Sequence, residues 1–87
     1  MTAGWQVELT PRARRDLRNL DRPVRARVLG ALGRLTDDPP IGELTSLVGT
    51  NDHRLRVGDW RVRVRLDRHA QVVVVLRVLP RGRAYNR

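Results

Sequence analysis

The chain contains no cysteine and no lysine, and only two histidines, His53 and His69, occur among its 87 residues. Without cysteine, disulfide bonds and cysteine-based zinc sites are excluded. Two isolated histidines are too few for a metal site built on imidazole. We therefore expect neither a metal ion nor any other cofactor.

Long apolar runs are also missing. No segment reaches the roughly 18 apolar residues of a transmembrane helix, and the first residues, MTAGWQVELT, lack the basic and then apolar order of a signal peptide. We expect no membrane association and a cytoplasmic location. A chain of 87 residues has the size of one small domain, so we predict a single domain over residues 1–87.

Positive charge is what the sequence has in excess. All 18 basic residues are arginines, and the formal net charge is +9. Such an excess favours a polyanionic partner, and nucleic acid is the first candidate. Arginine also suits phosphate, because its planar guanidinium donates two parallel hydrogen bonds.

The densest run of arginines is HRLRVGDWRVRVRL, residues 53–66. Gly58-Asp59 in its middle favours a β-hairpin with a two-residue turn of type II′ or type I′. Such a turn fixes which residues face each other across the two strands. The predicted pairs are Val57 with Trp60, Arg56 with Arg61, Leu55 with Val62, and Arg54 with Arg63.

Alternation along these two strands separates the side chains by chemistry. The face predicted to lie in the core carries Leu55, Val57, Trp60, Val62, Val64 and Leu66. The opposite face carries Arg54, Arg56, Arg61, Arg63 and Arg65. Like charges opposite each other repel, and we expect no acidic residue on this face, which favours a binding function over the alternative of a merely solvated surface.

The rest of the chain predicts an α+β fold. Residues 5–9 alternate like a half-buried strand, and Thr10-Pro11 and Asp21-Arg22-Pro23 are typical helix starts. Two apolar stripes at helical spacing predict a helical hairpin. They are Ala13, Leu17 and Leu20, followed by Val24, Val28, Ala31, Leu32 and Leu35.

The region after the second helix begins with Pro39-Pro40, which ends that helix. We expect a loop over 41–52, anchored by Leu44 and Leu47, and a third strand of the meander over 71–79. In that strand we expect Arg77 on the arginine-bearing face, near Arg61, and the core residues to be Val72, Val74, Leu76 and Val78. The predicted order is β-α-α-β-β-β, a mainly antiparallel sheet with the helical hairpin on one face.

Several segments together resemble the RelE/ParE superfamily of bacterial toxins. RLRVGDWRV is similar to the segment "yRlRvGdyRvlY" of that family, with Trp60 where an aromatic residue is usual. LPRGRAY is similar to its closing "hRrdvYr", with Pro80 in place of the commoner histidine. TPRARRDL and PVRARVLGAL match in spacing, so the resemblance spans nearly the whole chain. It implies a RelE-like toxin of a type II toxin-antitoxin system.

RelE-type members cut mRNA in the ribosomal A site without a metal, and an acidic antitoxin holds them inactive. The resemblance implies that Arg54 and Arg56 contact the substrate, that Arg61 stabilises the scissile phosphate, and that Arg81 and Tyr85 complete the active site. We expect further RNA contacts from Arg63, Arg65, Arg77 and Arg83. The implied partners are mRNA, the 70S ribosome and the antitoxin, with operator DNA bound only through the antitoxin complex.

Two departures from the family pattern affect the chemistry. Arginine stands where the family often has lysine, and Val64 stands where an aromatic residue often follows Arg61. Cleavage needs a group that accepts the 2′-OH proton, and arginine keeps its own proton in proteins. Tyr85 is then the one ionisable candidate, because neighbouring positive charge lowers the pKa of a phenol from about 10.

Two other functions compete with RNA cleavage. A ParE-like inhibitor of DNA gyrase would have the same fold, and a non-catalytic nucleic-acid-binding module would also use a basic face. Fold alone does not separate these functions. The combination of Arg61, Arg81 and Tyr85 favours the nuclease, because a gyrase inhibitor does not need it.

Overall fold

The computed structural model describes residues 4–36, 44–46 and 52–80. Within these ranges the chain forms two helices and five strands. In chain order they are β1 Gln6–Leu9, α1 Pro11–Arg18, α2 Arg22–Arg34, β2 Leu44–Ser46, β3 Asp52–Val57, β4 Trp60–Asp67 and β5 Val72–Pro80.

All the described strands belong to one mixed sheet, in the order β1-β5-β4-β3-β2. The outer strand β1 runs parallel to β5, and every other neighbouring pair is antiparallel. The predicted fold class, a mainly antiparallel sheet with a helical hairpin, is confirmed.

The described part of the segment 41–52, expected to be a loop, lies in strands. Leu44–Ser46 forms β2, which extends the sheet by pairing with β3 through Leu44 opposite Leu55. Leu47 lies outside the described residues. A three-residue strand escapes sequence reasoning, because so short a segment contains less than two full periods of alternation.

The β3–β4 hairpin has the predicted register, with Val57 opposite Trp60 and Arg56 opposite Arg61. Gly58 has a φ of 58°, whereas Asp59 has no positive φ. A two-residue turn with positive φ only at its first position is of type II′. The glycine therefore permits the tight connection that sets the register of both strands.

The two helices begin at the predicted signals. Thr10 caps α1 by accepting a hydrogen bond from the Ala13 backbone N–H at 3.1 Å, and Pro11 is the first helical residue. The second helix starts at Arg22, directly after Asp21. Arg25 then ties the two helices together, because its guanidinium donates to the carbonyls of Leu17 and Leu20 at 3.0 and 2.9 Å.

The core lies between the helical hairpin and one face of the sheet. Both predicted helical stripes contribute to it, and Val24 packs against it only partly buried. The buried apolar side chains are Trp5, Ala13, Leu17, Leu20, Val28, Ala31, Leu32, Leu35, Leu55, Val62, Val64, Val73, Val75 and Val78.

The core face of β5 differs from the prediction in its first half. Val73 and Val75 are completely buried, whereas we expected Val72 and Val74 to face the core. The register with β4 shifts between Arg63 and Val64, so that Val64 lies opposite Val75 and Leu76 has no partner on β4. One extra residue at such a bulge reverses the alternation, which is why the prediction holds at Val78 but fails before Leu76.

Residues of α1 and its N-cap bind the backbone of β5 at the bulge, along the part of that strand edge that does not pair with β1. Pairing between β1 and β5 ends with Leu9 opposite Val75. Beyond that point the Thr10 hydroxyl donates to the Leu76 carbonyl at 3.1 Å, and the Val78 backbone N–H donates to the Asp16 carboxylate at 2.9 Å. The side chains of the capping residue Thr10 and of Asp16 in α1 thus replace a strand as partners of this edge.

Candidate functional site

The arginine face, as we call it, is the side of the sheet that carries Arg54, Arg56, Arg61, Arg63, Arg65 and Arg77. Register places five of these residues in two adjacent rows and Arg65 in the next row, opposite Asp52. Arg56 and Arg61 face each other next to the hairpin turn, and Arg54, Arg63 and Arg77 form a row across three strands. Arg77 therefore lies directly opposite Arg63 and diagonal to Arg61, on the expected face and near Arg61, while Leu79 is the residue opposite Arg61.

Arg61 is the most enclosed of these arginines. Only 7% of it is exposed, whereas Arg56 opposite it is exposed. Alternation places Arg61 on the face opposite the core, where we expect an exposed side chain, and its enclosure contradicts that expectation. Arg61 lies on β4, the middle strand of the sheet, so neighbours on both sides cover its aliphatic stem. Enclosure restricts the guanidinium to few positions, which suits a preorganised hydrogen-bond donor.

Asp52 is an acidic residue on the arginine face that sequence reasoning missed. Its carboxylate accepts hydrogen bonds from the Nε atoms of Arg63 and Arg65, at 3.2 and 2.9 Å, and only 4% of the residue is exposed. The expectation of a face without an acid is therefore wrong. The available signal was alternation, because Asp52 precedes Arg54 by two residues and so shares its face, although the expected loop over 41–52 includes it.

A second carboxylate, Asp16 of α1, binds Arg77. The Arg77 Nε donates to Asp16 at 2.8 Å. Burial by itself raises the pKa of Asp16, but the hydrogen bonds from Arg77 and the Val78 backbone, with the charges of Arg77 and Arg12, lower that pKa below its ordinary value. The Asp16 hydrogen bond correspondingly raises the pKa of Arg77. Arg77 thus joins the sheet to the helical hairpin, a role that the sequence did not indicate.

The remaining predicted site residues, Arg81, Arg83 and Tyr85, lie outside the described residues. Their roles stay predictions. The strand that leads to them ends at Pro80, which is paired with Trp60 beside the hairpin turn.

Both tryptophans take part in core packing. Trp5 is buried in the core, and Trp60 packs against it while lining a cavity of about 330 Å³ between the end of α1 and the end of β5. His53 lies opposite Val64 on the neighbouring strand. Its buried Nδ1 has no hydrogen-bond partner within the described ranges.

Within residues 4–36, 44–46 and 52–80, no helix is long and apolar enough to cross a membrane. No group of three or more histidine or acidic side chains in that part of the chain is arranged to hold a metal ion.

A family model decides what kind of protein this is. The model of the ParE toxin of the type II toxin-antitoxin system parDE matches residues 7–85. The chain belongs to this toxin family. The RelE/ParE resemblance of the sequence is thereby confirmed, and the protein is a type II toxin with the RelE/ParE fold.

Solved structures of other toxins share the fold of this toxin. A chain of the RelBE2 toxin-antitoxin complex from Mycobacterium tuberculosis is 28% identical, with a TM-score of 0.80, and the match covers 91% of this toxin and 100% of that chain. A chain of the archaeal RelE-RelB complex from Pyrococcus horikoshii is 25% identical, with a TM-score of 0.80, over 93% of this toxin and 99% of that chain. No curated protein matches the sequence.

Proposed function

We propose that this toxin is a metal-independent endoribonuclease that cuts mRNA, in the ribosomal A site, by attack of a 2′-OH on the adjacent phosphate. The observation that carries the proposal is the direct pairing of the enclosed Arg61 with the exposed Arg56. Two arginines directly opposite each other on neighbouring strands can direct two guanidiniums at one phosphate, which gains negative charge during the reaction. The similarity to RelE chains supports the same activity.

The proposed reaction has three requirements. The 2′-oxygen forms a bond to phosphorus as its proton leaves, the equatorial oxygens gain charge, and the bond from phosphorus to the 5′-oxygen breaks as that oxygen takes up a proton. Arg56 and Arg61 meet the second requirement, with Arg54 beside them. Tyr85 is proposed as the proton acceptor, and Arg81 as a further donor to the phosphate.

Inhibition of DNA gyrase is the second candidate. The family model that matches this chain is named for ParE, and the arginine face would also suit a partner with negative charge. This alternative needs neither the Arg56–Arg61 pair as a phosphate site nor the phenol of Tyr85.

One preparation of the toxin distinguishes the two functions. We expect it to stop cell-free translation and to leave message with new 5′ ends, while gyrase continues to supercoil DNA. Tyr85→Phe should lose single-turnover cleavage and keep ribosome binding. Arrest of supercoiling with intact message would establish gyrase inhibition instead. Full cleavage by both Tyr85→Phe and Tyr85→Ala would remove Tyr85 from the mechanism.

We also propose that the toxin is held inactive by an acidic antitoxin. The net charge of +9 and the exposed guanidiniums of the arginine face favour a partner with excess carboxylates. The similar structures from Mycobacterium tuberculosis and Pyrococcus horikoshii are complexes of toxins with antitoxins. Affinity for the antitoxin should fall as ionic strength rises, and an affinity that does not change with salt would contradict a charge-driven interface.

A further inference from the structure

The three residues Asp52, Arg63 and Arg65 form a cluster next to the Arg56–Arg61 pair. The carboxylate is almost fully enclosed, with 6% of its side chain exposed, whereas 48% and 56% of the two arginine side chains are exposed. Each ion pair uses the Nε atom. The terminal Nη groups, which carry most of the N–H donors of a guanidinium, are not the donors in these two ion pairs.

The spacing along β4 gives this cluster a further property. Arg61, Arg63 and Arg65 alternate on one face of a continuous strand, so successive arginines are about 6.6 Å apart and Arg61 and Arg65 about 13 Å apart. Successive phosphates of an extended single strand of RNA have a similar separation. A line of guanidiniums with this repeat can therefore follow the backbone of one strand.

We propose that Asp52, Arg63 and Arg65 form a second phosphate subsite, which binds a backbone phosphate of the same RNA strand about two nucleotides from the phosphate at Arg56 and Arg61. Asp52 is a positioning residue: it holds both guanidiniums by Nε and leaves Nη for the RNA. The inference rests on the proposed function, because its ligand is the RNA substrate.

Two possible roles of Asp52 predict opposite changes in RNA affinity, so the direction of the change tests the proposal. If Asp52 merely neutralised the two arginines, its removal would strengthen binding of RNA, because the toxin would gain net positive charge. If Asp52 positions them, its removal weakens binding despite the gain in charge. Asp21→Asn is the matched control, because it makes the same change of charge at an exposed residue whose side chain forms no capping hydrogen bond.

The experiment compares a dinucleotide with a hexanucleotide of 2′-O-methyl RNA, which has no free 2′-OH and is not cut. We expect Asp52→Asn to weaken binding of the hexanucleotide and Asp21→Asn to leave it equal or slightly stronger. Arg65→Ala, which leaves Asp52 bound to Arg63, should weaken hexanucleotide binding roughly tenfold. It should also reduce the salt dependence by about 0.7 in log–log slope, with the dinucleotide unaffected.

Two results would overturn the subsite. One is stronger binding by Asp52→Asn, as a neutralising role requires; the other is equal weakening of both lengths by Arg65→Ala. Melting temperatures show whether each variant is folded, and Arg65→Ala decides the matter if Asp52→Asn is not. Cleavage of unmodified message is measured in parallel. If Arg65→Ala weakens binding of the hexanucleotide alone but the parent toxin does not cleave message, the result supports the subsite and contradicts the nuclease. If the parent toxin cleaves message but Arg65→Ala affects both lengths alike, the result supports the nuclease and contradicts the subsite.

Discussion

The two faces of the β3–β4 hairpin bury side chains in different ways. On the core face, Val62 and Val64 are completely buried and need only apolar neighbours. On the arginine face, Arg61 is almost as well enclosed, and burying a charge is costly unless the charge is paired or hydrogen-bonded. Two carboxylates pair with arginines of this face: Asp52 on β3 binds Arg63, and Asp16 on α1 binds Arg77.

This difference predicts separate consequences of mutation. A substitution on the core face should change stability and affect activity only through folding. A substitution on the arginine face should change activity first, with a smaller effect on stability, because the exposed ends of these side chains contribute little to the fold. The following variants test that separation.

Arg61→Ala should have the largest effect. Loss of one positioned donor commonly reduces the rate about 100-fold or more, so toxicity and RNA cleavage should fall by at least that factor. Because Arg61 is enclosed, a moderate fall in melting temperature should accompany the loss. Arg68→Ala, at an exposed turn position, should leave cleavage almost unchanged. Full cleavage by Arg61→Ala, measured per folded molecule, would contradict the proposed site.

Val75→Ala should reduce the free energy of unfolding by about 2 kcal/mol, because two buried methyl groups are lost and a cavity remains. The matched variant is Val74→Ala, on the opposite face of the same strand and only half-buried, which should cost clearly less. Urea denaturation of both proteins measures the difference. An equal cost, or a greater cost for Val74→Ala, would mean that β5 has no bulge at Leu76.

Asp16→Asn should reduce the free energy of unfolding by about 1 to 2 kcal/mol at neutral pH, because the charge-assisted bonds to Arg77 are weakened. The folded state lowers the pKa of Asp16, so this stabilisation is present above the unfolded pKa and is lost as pH falls through the folded value. The stability difference between parent and variant should therefore shrink below about pH 4. A difference that persists in acid would contradict this source of stability.

Arg25→Ala should have the smallest effect, a loss of about 1 kcal/mol. Arg25 closes the helical hairpin over the core face by hydrogen bonds to carbonyls at the end of α1. Cleavage should be unchanged, since Arg25 is not on the arginine face. Arg22→Ala, an exposed arginine of the same helix, is the control and should be neutral. Calorimetric thermal unfolding of both variants measures the difference in their stability.

Much of the fold was predictable because it depends on neighbours in sequence. A two-residue turn at Gly58-Asp59 sets the hairpin register, and Thr10-Pro11 starts α1. The predicted helical stripes are buried for the same local reason, since residues three and four apart lie on one face of a helix. In the candidate site, the common face of the arginines on β3 and β4 was predictable for the same reason.

The tertiary structure alone decided which arginines are enclosed and which acids accompany them. Asp16 meets Arg77 across 61 positions of sequence, and no local pattern carries that pairing. The bulge at Leu76 likewise arises where α1, rather than a strand, satisfies the edge of β5. Sequence determined the two chemically distinct faces, because alternation is a property of each strand alone. The tertiary structure decided which residues lie beside each charged side chain, because the register between elements distant in sequence depends on how those elements pack.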